Sequence, residues 1–148
     1  QKPGWKQVLT VWDQGVIYLL IIGTYTPFLV KYLPAPWTFP VTAALWGLAL
    51  AGFASKVFVR HRVDHTFSPV TYVALGWLPA MILGPFVPMQ CVLWMAVGGV
   101  LYTGGVIFLA LDRRVRYFHA AWHVFVLGGS VCHYFVILCF VVMPGELA

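Results

Sequence analysis

The stretch Phe118-His119-Ala120-Ala121-Trp122-His123-Val124-Phe125, continued by VLGGSVCHYFVILCFVV to position 142, is 25 residues without one acidic or basic side chain other than histidine. At 1.5 Å per residue an α-helix of that length crosses a bilayer's hydrocarbon core, and no shorter regular structure hides its backbone groups there. Within it His119 and His123 are four residues apart, about one helical turn, so both imidazoles point the same way. Ionisable groups inside a span are costly and face a protein interior, a water-filled cavity or a metal. This segment therefore sets both the fold class and the first functional question.

The rest of the chain has the same character. Of its 148 residues 61% are hydrophobic and only 9% charged, against about 25% charged in soluble domains. Apolar runs of about membrane length recur at 11–30, 37–55, 70–86, 89–111 and 118–142. The separators are short and polar or proline-bearing, as loops of a helix bundle are. The prediction is an all-α, multi-pass transmembrane bundle of five helices forming a single domain over 1–148. The first run has two lysines ahead of it, as a signal peptide would, but it is about 20 residues long and no small-residue cleavage site follows, so it reads as a true span. A chain that opens on Gln1 is expected to be a fragment or a processed product.

Charge sets orientation. Lys2 and Lys6 precede the first run, Lys56, Arg60 and Arg62 lie between the second and third, and Arg113, Arg114 and Arg116 lie between the fourth and fifth. Five crossings put these eight on one side, with Lys31 alone opposite. The positive-inside rule then predicts a cytoplasmic N-terminus, Ala148 outside, and a cell-membrane location. The net charge of +5 reads as topology, not nucleic-acid binding, because the charges accompany no base-reading motif. Cys91, Cys132 and Cys139 form no CxxC pair, and Cys132 and Cys139 are about 10 Å apart along a helix, too far for a disulfide. They are expected to pack or to face lipid.

Gly47 with Ala51, and the pairs at 98–99, 104–105 and 128–129, are predicted to be close helix contacts. Pro27 and Pro79 are expected to kink their spans.

Asp13, in Val11-Trp12-Asp13-Gln14-Gly15, falls in the first turn of the first run and at the membrane depth of His119 and His123. Imidazoles at i and i+4 suit a tetrahedral zinc, although this stretch lacks the glutamate of the helical HExxH pattern. Asp13 would then hold a zinc-bound water and take its proton. The same residues admit a plainer reading: a helix-terminal aspartate favoured by the helix dipole, and two interfacial histidines bonded to backbone or headgroups. Ser130 and His133 share the histidines' helix face but lie about 16 and 21 Å beyond His119, too deep to ligate the same ion. His133 is expected either to bond across helices or, with Ser130, to line a substrate cavity. His61 and His65, in the basic loop, read as solvated.

These motifs resemble a known family. Asp13-Gln14-Gly15-Val16-Ile17-Tyr18-Leu19-Leu20, with Gly23-Thr24-Tyr25-Thr26-Pro27-Phe28, is similar to the third transmembrane helix of the haemolysin III and adiponectin receptor family. Gly98-Gly99-Val100-Leu101-Tyr102-Thr103-Gly104-Gly105-Val106 resembles its sixth helix, and Phe118-His119 through Trp122-His123, with Gly129-Ser130 and Cys132-His133, its seventh. The likeness covers almost the whole chain and is nearer to the bacterial haemolysin III branch. It implies a seven-helix fold of which the first two helices precede Gln1, and a zinc site of one serine, one aspartate and three histidines. Carried over by motif, His119 and His123 are zinc ligands and Asp13 is the aspartate, while the serine and third histidine belong to the second helix. With two histidines alone the chain is expected to hold zinc substoichiometrically.

The function implied is an intramembrane zinc hydrolase acting on a lipid amide of ceramide-like chemistry. A receptor or lipid-homeostasis protein with structural zinc, and a membrane-permeabilising haemolysin, stand as alternatives. A pore has little support, since no run carries the repeated polar face of an aqueous wall.

Overall fold

A computed structural model describes residues 4–60, 67–112 and 114–143, with positions 6, 7, 59, 60 and 67–69 described through their backbone alone. Five α-helices follow one another: α1 (Trp5–Tyr32), α2 (Ala35–Ala54), α3 (Phe67–Leu83), α4 (Met89–Leu111) and α5 (Phe118–Ile137). Among the described residues there is no strand. Four of the helical segments, Val8–Tyr32, Ala35–Phe58, Met89–Leu111 and Phe118–Val142, are long and apolar enough to cross a membrane. The third run is shorter: its apolar helix is Val70–Leu83, ended by Gly84 and Pro85. The fold is all-α, and the protein is a multi-pass membrane protein. His61, His65, Arg62, Arg113, Lys2 and Ala148 lie outside the described residues.

The helices are apolar nearly all round, so large hydrophobic side chains occupy the outside as well as the core. Phe39 is 81% exposed and Met81 75%, which in water would be a severe liability and in lipid is the solvated face. Inside, Ile22, Phe28 and Leu29 of α1, Ala49 of α2, Leu83 of α3 and Cys91 of α4 are fully buried. Cys91, Cys132 and Cys139 are all free thiols.

Helices α1, α3, α4 and α5 close a ring in which each touches the next, while α2 packs on the outside of α1. The α4–α5 pair is the most extensive, and glycine makes it so. A Cβ at Gly98 would come within 2.6 Å of His133 Nε2, and one at Gly129 within 2.9 Å of the Tyr102 ring. In lipid, where apolar surface gains nothing by leaving its solvent, such close backbone approach is what holds helices together.

Both α1 and α3 continue through Pro27 and Pro79. Two wider π-helical turns extend the long helices, Ser55–Arg60 after α2 and Leu138–Val142 after α5. The second is tied to the end of α1: Lys31 Nζ donates to the carbonyls of Phe140 and Val141 at 2.7 and 2.9 Å, and the Tyr32 hydroxyl donates to Phe140 at 2.7 Å. Carbonyls at a helix end have no partner within the helix, and in a membrane each must find one.

Candidate metal centre

Asp13 is in the third turn of α1 and its carboxylate faces the first turns of α5. His119 and His123 project from that end of α5 on one face, as their four-residue spacing dictates. One ligand atom from each of the three lies within 4.8 Å of the others. The contact requires α1 and α5 to start at the same membrane face, which three intervening helices achieve.

The distances within the group are unequal. His119 Nε2 and His123 Nε2 are 3.2 Å apart, with the rings edge to face. Two nitrogens bound to one tetrahedral zinc at about 2.0–2.1 Å stand about 3.3 Å from each other. Asp13 Oδ2 is 3.9 Å from His119 Nε2 and 3.8 Å from His123 Nε2, about half an ångström beyond the separation expected of a third direct ligand. That oxygen is buried without a hydrogen-bond partner, an arrangement native proteins rarely leave uncompensated. The donor set fits a divalent cation held by the two imidazoles, with the carboxylate set back from the pair.

A fourth group supports the cluster, and it reads in the sequence as a mere loop residue. Asp112, the residue that closes α4, places Oδ2 3.2 Å from His119 Nδ1. Its side chain is only 12% exposed, against 41% for His119 and 46% for His123. An acidic side chain at the unfavourable C-terminal end of a helix, seven residues before a histidine, is the signal that marks it. The turn from α4 into α5 is also unusual. Tyr117 caps α5 in the left-handed region at φ 70°, a conformation that costs a non-glycine residue roughly 1–3 kcal/mol. The Arg116 guanidinium covers the Tyr117 ring at 4.9 Å.

Beneath the cluster lies a narrow crevice of about 40 Å³ lined by all four helices of the ring. Ile17, one turn below Asp13, and Trp122, between the two histidines, lie at its upper part; Tyr25, Tyr102 and His133 line it deeper in the bundle. His133 is 1% exposed, edge-on to the rings of Tyr25 and Tyr102 at 5.5 and 5.6 Å. Its nitrogens have no side-chain hydrogen-bond partner among the described residues, and the ring lies against the α4 backbone near Met95. Gly98 explains this: the ring is seated on α4 backbone by packing. Ser130 lies behind the wall. It donates to Val126 O at 2.9 Å and accepts from the Tyr102 hydroxyl at 2.8 Å.

The sequence profile described as Haemolysin-III related matches residues 1–134. The chain belongs to that family. It is 37% identical over 145 residues to Hemolysin-3 of Bacillus cereus, an alignment covering 96% of this chain and 65% of that protein. Hemolysin-3 homolog of Bacillus subtilis (strain 168) is 36% identical over 140 residues, with 93% and 65% covered. The human Monocyte to macrophage differentiation factor is 30% identical over 125 residues, with 84% and 52% covered. The chain thus spans 65% of the length of the bacterial relatives and about half of the human one. No solved structure matches it.

Proposed function

We propose that this member of the haemolysin-III-related family is an intramembrane zinc hydrolase that cleaves an amide in a membrane lipid of ceramide-like chemistry. The carrying observation is the unequal triad: two imidazole nitrogens at the separation zinc requires, with a buried, unpartnered carboxylate oxygen just beyond. His119 and His123 are the ligands. The family resemblance assigns a third histidine to a helix that precedes the Asp13 helix, nearest in pattern to the bacterial haemolysin III branch. When bound, zinc supplies a Lewis acid for the amide carbonyl and makes water a better proton donor.

The chain's own groups do the rest. Asp13 accepts a proton from the attacking water, whose oxygen bonds to the carbonyl carbon. The C–N bond then breaks, and the proton is delivered to the leaving amine, giving a carboxylic acid and an amine. The crevice, apolar in its lining, runs from one turn below Asp13 to Tyr25, about 12 Å deeper along α1. It suits the hydrocarbon part of a lipid, with His133 in its wall. The lysines and arginines orient the site toward the cytoplasmic leaflet.

The test is the zinc content of the full-length protein after purification, since two histidines alone hold zinc weakly. His119→Ala and His123→Ala each remove a ligand and should lose most of the bound zinc, whereas His133→Ala, a bilayer leaflet away, should retain it. Equal loss in all three would overturn the assignment of ligands.

A further inference from the structure

Asp112 sits where electrostatics disfavours it. A carboxylate at the C-terminal end of a helix meets the negative end of the helix dipole, and this one is largely withdrawn from water as well. What it gains is His119. Asp112 Oδ2 lies 3.2 Å from Nδ1 of that ring, while the ring's other nitrogen, Nε2, is the atom facing His123 and Asp13. An ionised carboxylate accepts hydrogen bonds and donates none. The single proton of a neutral His119 is thereby placed on Nδ1, and the Nε2 lone pair is turned into the cluster.

We propose that Asp112 is a positioning residue that holds His119 in the Nδ1–H tautomer, so that Nε2 is ready to ligate a cation before one arrives. The purpose rests on the zinc reading above; the tautomer does not.

A consequence follows for the second histidine. In the metal-free protein, with His119 Nε2 an acceptor, the 3.2 Å contact between the rings is satisfied as a hydrogen bond only with His123 Nε2 as donor. His123 therefore carries its proton on the very atom that faces the metal position. Before that atom can ligate, the proton must leave it, for Nδ1 or for solvent. The two ligands, identical in residue type, are unequal in readiness: His119 is set in advance, and His123 rearranges.

The experiment is ¹⁵N NMR of the histidine rings in metal-free protein in detergent micelles, at a pH where imidazole is neutral, with His119→Gln and His123→Gln to assign the signals. The expected spectrum has a protonated Nδ1 and a bare Nε2 on His119, and the reverse on His123. Asp112→Asn, whose amide oxygen still accepts, should keep the His119 pattern, whereas Asp112→Leu should let its two nitrogens average. Zinc titration of the same proteins should show binding 10–100-fold weaker in Asp112→Leu, the usual cost of losing a carboxylate behind a ligating histidine, and a smaller loss in Asp112→Asn. A bare Nδ1 on His119 in the unmodified protein overturns the proposal even if Asp112→Leu does not fold, and so does an unchanged His119 pattern in a folded Asp112→Leu. A wild-type spectrum as expected, with no zinc taken up by the full-length protein that carries the third histidine, supports the role of Asp112 and instead removes the zinc reading.

Discussion

Asp13 differs from the histidines by a few tenths of an ångström, and its proposed role turns on that margin. At 3.8 and 3.9 Å from the two imidazole nitrogens it stands far enough back to act on a water. Asp13→Asn keeps the size and an acceptor oxygen but cannot take a proton. In the full-length protein zinc should largely remain, while hydrolysis of a lipid amide falls by on the order of 100-fold or more, the scale of a general-base contribution. Hydrolysis at the wild-type rate in Asp13→Asn would leave Lewis acidity as the source of catalysis. Loss of zinc from Asp13→Asn would make the residue a ligand. At this scale the sequence is informative about residues whose type is unusual for their surroundings: two histidines and an aspartate at a span's end are conspicuous in an apolar chain. Asp112 is not, because an acidic residue beside Arg113 and Arg114 looks like part of a solvated loop. In the folded chain its carboxylate reaches back across the turn to His119.

The α4–α5 turn decides where the histidines point, and it is built on a strained residue. Tyr117 is 70% exposed and holds φ 70° at the start of α5, so its side chain gains little that would repay the conformation. Asparagine enters the left-handed region readily, while a β-branched residue there is a severe outlier. Tyr117→Val should lower stability by about 1–2 kcal/mol relative to Tyr117→Asn, measured by thermal unfolding in detergent, and should weaken zinc binding in parallel. Equal stability of the two variants would show that the turn relaxes without cost. At the opposite end of the bundle, Lys31→Met should loosen the Leu138–Val142 turn by removing two of the three hydrogen bonds to its carbonyls and leaving that from Tyr32, seen as faster amide exchange there, whereas Lys31→Arg should preserve it. All five helices are legible as apolar runs, since length and hydropathy are what a bilayer demands, and only the third has an apolar helix shorter than its run. The π-helical turns are not, because one extra residue per turn changes no composition. Nor is the early start of α1 at Trp5, where Lys6 and Gln7 mask the helix from a hydropathy reading.

In the whole molecule, the cluster and the charge pattern make one claim about topology from independent physics. The meeting of Asp13 with His119 and His123 requires α1 and α5 to run parallel, so a chain that starts on one side of the membrane leaves α5 on the other. The positive-inside rule then predicts the side: in sequence, eight of nine lysines and arginines lie at the start of α1, between α2 and α3, or between α4 and α5, and a cationic bias favours the cytoplasm. A reporter fused after Ala148 should accordingly be active outside the cytoplasm, and one inserted between Arg114 and Tyr117 active inside it. Moving the bias should move the answer. Replacing Arg113, Arg114 and Arg116 by neutral residues while adding three lysines beside Lys31 should produce a mixed population of orientations, because the rule counts residues near the span ends and not total charge. Cytoplasmic activity of the C-terminal reporter in the unaltered protein would place the cluster in the outer leaflet, and any substrate would then have to come from that side.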